Sequence, residues 1–189
     1  MRLKLILLII LLGLSLTGCV YVVRYDGTYS GKVVDMDTRD PIEGAVVLGT
    51  WSIESPTIAG AHSDYYDARE TITGRNGEFS IPGQGLRVMS RLLPMRILIF
   101  KAGYSYEQED YNSLKTGLYS KDRIKWEGDR PIFPLKKLTL EERKQQGGPP
   151  DPPDNAPFEK VKLMLREIDK ERLERGLDAR GLWRGTKYE

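Results

Sequence analysis

The sequence predicts a mainly β fold, an antiparallel sandwich of about seven strands with an amphipathic helix at its C-terminal end. Three observations carry this. Short apolar or alternating runs recur between turn signals through residues 29–138, the pattern of a small sandwich. Ala45-Val46-Val47-Leu48 contains no polar residue, so a strand there is buried on both faces or lies at a sandwich centre. The one run with helical spacing in this part of the chain, Phe158 to Leu173, follows a Pro- and Gly-rich break.

The chain begins with a basic head, Arg2 and Lys4, and an apolar run from Leu5 to Leu16. That is the layout of a secretory signal peptide, and the run is short of the roughly 20 apolar residues that a membrane-spanning helix needs. Leu16-Thr17-Gly18-Cys19 follows, an aliphatic residue, two small residues and the chain's only cysteine. This string resembles the bacterial lipobox. The resemblance implies signal-peptidase recognition of Leu16, Thr17 and Gly18, cleavage before Cys19, and lipidation of Cys19 with diacylglycerol and an N-linked fatty acid such as palmitate. The expected products are a signal peptide, 1–18, and a lipidated tether, 19–28. Val20 occupies the place where Asp would retain an enterobacterial lipoprotein in the inner membrane, so by analogy the outer membrane is favoured over the inner. Removing Arg2 and Lys4 takes the formal charge from +2 to about zero.

Between residues 29 and 138 each strand has a local reason. Tyr29 to Met36 centres on Val33 and Val34 and is interrupted by the turn residues Asp37 to Pro41. Ala45 to Leu48 continues toward Trp51. A polar stretch from Ser52 to Glu70 reads as a long loop before Thr71-Ile72-Thr73. Asn76-Gly77 is a tight-turn signal, and Glu78-Phe79-Ser80-Ile81 alternates as a half-buried strand should. Pro82 to Met95 reads as a second long loop. Arg96 to Phe100 is a central strand closed by Ala102-Gly103-Tyr104. Arg123 to Trp126 and Ile132 to Leu138 are weaker strands, the latter placed at an edge or bent because of Pro134.

The string Gly31-Lys32-Val33-Val34-Asp35, Thr38, Pro41-Ile42, Gly44-Ala45-Val46-Val47, Thr73, Gly77, Phe79-Ser80-Ile81 and Lys101-Ala102-Gly103-Tyr104 resembles the carboxypeptidase regulatory-like domain family. The resemblance implies a transthyretin-like (prealbumin-like) sandwich over 29–138. It also implies an accessory or interaction role with no catalytic residues to carry over.

The tail divides in two. In 139–157, Thr139 and Glu142 fit a capping box for a short helix, which Gly147 to Pro153 ends as an extended spacer. In 158–189, Phe158, Val161, Leu165 and Ile168 make one apolar stripe, with Asp154 or Asn155 as cap, Gly176 as stop and a Glu171–Arg175 pair on the exposed face. The stripe can pack on the sandwich, dock a partner or self-associate, or remain solvated. The tail is expected to be removable from Gly147 onward with the sandwich intact.

Composition narrows the function. One Cys and one His exclude an intrachain disulfide, Cys-rich zinc sites and multi-His sites, and the balanced mature charge gives no pull toward nucleic acid. His62 beside Ser63 and Asp64 is a weak catalytic signal, because neighbours in sequence rarely make a triad. Asp35, Asp37, Asp40 and Glu43 are oxygen ligands in a turn, but their spacing fits no EF-hand. Trp183-Arg184-Gly185-Thr186 faintly resembles the Tyr-Arg-Gly-Ser end of transthyretin-related hydroxyisourate hydrolases, which need more His than this chain has. Tyr65, Tyr66, Tyr104, Tyr106 and Tyr111 are the candidate binding surface, since Tyr joins an apolar face to a hydroxyl. The expectation is a non-catalytic, membrane-anchored lipoprotein of the cell envelope. It needs no cofactor or metal, holds the membrane through Cys19 and binds an envelope protein. The alternatives are a glycan or small-ligand binder, or a hydrolase with paired loop carboxylates.

Overall fold

The computed structural model describes residues 23–57, 60–88, 90–116 and 124–178. The segment expected to be a signal peptide, Leu16, Thr17, Gly18, Cys19 and Trp183 to Thr186 lie outside them. Ten strands run in chain order: β1 (Val23–Asp26), β2 (Tyr29–Asp35), β3 (Val46–Thr57), β4 (Gly60–Ile72), β5 (Glu78–Ile81), β6 (Gly85–Val88), β7 (Arg96–Phe100), β8 (Glu107–Asp110), β9 (Lys125–Glu127) and β10 (Arg130–Leu135). The helices are α1 (Tyr111–Thr116), α2 (Leu140–Gln145) and α3 (Phe158–Glu174). The protein is mainly β, a sandwich with a C-terminal helix.

One sheet has the order β5-β2-β10-β9, the other β4-β3-β7-β8, and β1 pairs with β6 as a separate ribbon. The alternation of side chains along each strand sorts the core. Val33, Phe79, Ile81, Phe133 and Leu135 of the first sheet meet Val47, Trp51, Ile97 and Ile99 of the second. The intervening residues of the second sheet, Val46, Leu48, Leu98 and Phe100, point the other way and pack under Val161, Met164, Leu165 and Ile168 of α3. The uninterrupted apolar run at residues 45–48 is therefore buried on both faces, and the helix stripe covers one of them. Burying each such side chain contributes about 1.5–3 kcal/mol.

Carboxylates fix the helix at both ends. Glu70 of β4 accepts the backbone N–H groups of Leu163 and Met164 at 2.9 and 2.7 Å. Burial pushes the Glu70 carboxyl up, and those two donors partly offset the shift. Lys160 reaches Asp67 at 2.8 Å. At the far end Glu167 and Glu171 accept the N–H groups of Ala102 and Gly103, at 2.8 and 2.9 Å. Arg143 of α2 bridges Glu171 and Glu174, each at 2.9 Å. Glu171 is thus buried in a network and not on the exposed face expected for a pair with Arg175. The capping box of Thr139 and Glu142 is present, and Gly176 ends α3 at φ 76°. Neither Asp154 nor Asn155 caps α3; Pro157 takes that place without a side-chain bond.

Five segments differ from their expected form. The tether contains β1. Residues 52–57 and 60–70 are not a loop but strand residues of the β3–β4 hairpin, whose register shifts at Trp51/Ser52. Pro82 to Met95 contains β6, and β8 with α1 follows the central β7. β10 is internal and parallel to β2, the one parallel pairing among otherwise antiparallel ones. Pro134 fits there for a simple reason. Leu135 turns its carbonyl to Met36 of the β2 side, so Pro134 faces the opposite side, where the β9 pairing has already stopped at Ile132. At the Asn76-Gly77 turn, Gly77 has φ 75° and a Cβ there would lie 2.4 Å from the Val33 carbonyl.

Asp26 joins the ribbon to the sandwich. It is 2% exposed and accepts from Trp51 Nε1 at 2.9 Å, from the Gln84 N–H at 2.7 Å and from the Tyr29 hydroxyl. Arg24 is its ion-pair partner at 3.8 Å. Gly83 admits the backbone beside it, since a Cβ would lie 2.0 Å from the Gly27 carbonyl. Tyr29 stacks edge-on to Trp51 and Tyr111 with centroids 6.0 and 4.8 Å apart. Burial and the nearby carboxylate hold the Tyr29 phenol far above its ordinary range.

Two outcomes are expected. Asp26→Ala strands three buried donors and the Arg24 charge, and should lower unfolding free energy by about 3–5 kcal/mol in a urea titration, with Asp26→Asn losing less. Deleting residues 147–189 uncovers Val46, Leu48, Leu98 and Phe100. The truncated chain should melt well below the full chain and bind an apolar dye, the opposite of the removable tail that the sequence alone implies.

Candidate functional site

The five tyrosines singled out in the sequence do not form one surface. Tyr111 is buried in the main core and donates to the Ser30 carbonyl at 2.5 Å. Tyr104 packs half-buried on the same core, and burial followed by the Asp35 charge pushes its phenol up. Tyr106 is exposed near the α2–α3 junction, where it lines a small groove with Tyr104 and Arg143. Tyr65 and Tyr66 are adjacent on β4 at the register shift, and they line different clefts.

Tyr65 lies in the better-formed cleft, of about 250 Å³. Its origin is visible in the strand pattern. On the helix side of the second sheet, Val46 and Leu48 of β3 and Leu98 and Phe100 of β7 are apolar and covered by α3. Further along the same face the residues turn polar: Thr50, Ser52, Tyr65, Arg96 and Gln108. Asp151, Pro153 and Asn155 of the segment before α3 form the opposite wall. The spacer is therefore a wall of a cleft, with Pro150 and Ala156 buried. The Tyr65 hydroxyl is buried without a well-formed hydrogen bond, the backbone of Ala68 supplying only a weak contact. Burial, then the Asp67 charge, pushes this phenol up. A hydroxyl so placed, with amide, guanidinium and hydroxyl groups around it, suits a neutral polar ligand or a peptide segment. Among the described lining residues Asp151 is the single carboxylate, whereas glycoside hydrolysis uses a pair.

Tyr66 faces a wider groove of about 500 Å³ between the outer β3–β4 hairpin and the ribbon, with Glu54, Leu86 and Arg91. The Arg87 guanidinium sits 4.7 Å from the Tyr66 ring centroid. His62 is exposed on the hairpin and 3.1 Å from Asp64, itself exposed. Ser63 lines the Tyr65 cleft instead, so the three do not converge as a triad. Around the first turn the Asp35 carboxylate accepts the N–H groups of Asp37 and Thr38 at 2.9 and 3.1 Å, a turn-building role. Sequence reading missed the Thr50, Arg96 and Gln108 cluster. Its signal was the switch from apolar to polar along one face of β3, which becomes readable once the β3–β7–β8 register is known.

No protein-family model matches the chain, and no curated protein matches it. Among solved structures a streptococcal ancillary pilin is similar in part, with a TM-score of 0.28 and 11% identity over 60% of this chain. The chain spans 30% of that pilin's length, and a likeness at this level carries no argument.

Replacing Tyr65 with Phe removes a hydroxyl that the free protein scarcely uses. Thermal or urea unfolding should change by less than about 1 kcal/mol. A larger loss would mean that the hydroxyl is a structural donor.

Proposed function

We propose that the protein is a lipoprotein of the bacterial cell envelope, anchored through acylated Cys19, whose sandwich is a non-catalytic binding or scaffold module. The carrying observation is the Leu16-Thr17-Gly18-Cys19 string, with the only cysteine four residues before β1, the first strand of the ribbon. An apolar leader with a basic head precedes it, and no helix among the described residues is long and apolar enough to cross a membrane. The sandwich itself is read as a carboxypeptidase regulatory-like domain of transthyretin-like type, on the motif string from Gly31 to Tyr104. Val20 after the cysteine favours the outer membrane.

The contact surface is the outer β3–β4 hairpin. From residue 60 to 64 its side chains are exposed, and a hairpin that extends past the core offers an arm to an envelope protein. A second reading, binding of a glycan or other small polar ligand, is favoured by the cleft at Tyr65, whose buried hydroxyl is left without a strong partner.

Cell fractionation tests the anchor and crosslinking tests the arm. The wild-type chain should sediment with membranes and carry a mass increment on Cys19, and Cys19→Ala should move it to the soluble fraction. A photo-crosslinker at residue 62 should yield a discrete protein adduct that is absent with the crosslinker at Leu173. Unchanged membrane association of Cys19→Ala refutes the anchor. Adducts identical from both positions refute the hairpin as the contact surface.

A further inference from the structure

The ribbon of β1 and β6 is built inside out. Its register pairs Val23 with Val88 and Tyr25 with Leu86. These four side chains share one face, and all are exposed: Val23 59%, Tyr25 75%, Leu86 66% and Val88 61%. The polar residues between them turn inward. Arg24 donates to the Leu92 carbonyl at 2.8 Å and pairs with buried Asp26, while Arg87 lies over the Tyr66 ring. A one-residue shift of register would put the arginines outside and the apolar groups inside. The Asp26 bonds to Trp51, Tyr29 and Gln84 hold the register as it is. A contiguous exposed apolar face of this kind marks an interaction surface.

The sequence says which one. Val23 stands four residues after Cys19, and four residues of extended chain reach at most about 14 Å. A diacylglyceryl group at Cys19 therefore holds the ribbon at headgroup level. Tyr is the residue type that favours this level, its ring among acyl chains and its hydroxyl in water. From these facts we infer that the outward face of the ribbon, Val23, Tyr25, Leu86 and Val88, is a membrane-contact surface that lies in the bilayer interface beside the lipid anchor. The face sets the orientation of the domain. The β3 residues next to the ribbon, Ile53 and Glu54, stay close to the bilayer. The opposite end of β3, where α3 meets the turn at Ala102 and Gly103, points away. This inference rests on the Cys19 anchor proposed above.

The test uses the full mature lipidated protein reconstituted into vesicles of phosphatidylethanolamine and phosphatidylglycerol. Acylation blocks the sulfur of Cys19, so Leu86→Cys or Val88→Cys supplies the single free thiol for a nitroxide label, with Leu173→Cys as the control. All three sites are exposed, which spares the core. The labels at 86 and 88 should collide more with dissolved oxygen than with a water-soluble nickel chelate, and the label at 173 should show the reverse. If the protein floats with vesicles but labels at 86 and 88 are as accessible to the chelate as the control, the contact surface is wrong and the anchor stands. If those labels are shielded from both collision partners and broaden one another, a second copy of the chain covers the face and the inference is overturned. If the protein does not float and Cys19 has the mass of a free cysteine, the anchor fails and the inference falls with it.

Discussion

The constraint on which this structure depends is a stretch of sheet, residues 46–48 of β3 and 97–100 of β7, without a polar face. Val46, Val47, Leu48, Ile97, Leu98, Ile99 and Phe100 are all buried, on alternating sides of β3 and β7. An antiparallel sheet with one solvated face needs polar residues at every second position. This sheet has none there, so it requires cover on both sides. The first sheet covers one side and α3 the other. The helix is consequently the third layer of a single body, held by Glu70 from the sheet and by Glu167 and Glu171 toward it. The Pro-rich segment before α3 carries the chain back across the sheet, and its passage creates the Tyr65 cleft where the sheet face changes from apolar to polar.

A second feature sets how the body meets its surroundings. Asp26 is a buried charge whose partners come from β1, β2, β3 and the approach to β6. A buried carboxylate with several donors is a specific device, since any other register leaves it unpaired. It locks the ribbon with its arginines inward and its apolar side chains outward. The anchor-proximal end of the chain is thus rigidly joined to the sandwich core. In the proposed lipoprotein this would fix the tilt of the domain on the membrane and keep the outer β3–β4 hairpin on its membrane-facing side.

Much of this was legible in the sequence. The Val-rich runs and Asn76-Gly77 predict strands and a turn that the structure contains, because those signals are local. The capping box at Thr139 and the glycine stop at Gly176 are likewise local. What could not be read depends on pairing. The hydrophilic composition of residues 52–70 hides a hairpin, because both its faces lie largely outside the core. The ribbon strands are too short to show a period and acquire theirs only by pairing with each other. Pro134 argues for an edge, and it does sit at one locally, past the end of β9, within a strand that is otherwise internal. Glu171 looks like a surface charge until α3 is docked and Gly103 and Arg143 close around it. Position sorted the tyrosines: Tyr111 went to the core, Tyr65 to a cleft, and Tyr66 to a groove.

The functional reading joins these parts into one object: a rigid three-layer body, tied through Asp26 to a ribbon that begins four residues after Cys19, the proposed site of lipidation. Everything proposed about orientation requires that the layers move as one. Native-state hydrogen exchange on the full chain measures this directly. The account predicts that the amides of β3, β7 and the middle of α3 exchange through one shared opening, with the same free energy and the same dependence on urea. Exchange of the α3 amides through a separate, cheaper opening, with β3 and β7 still fully protected, would contradict it.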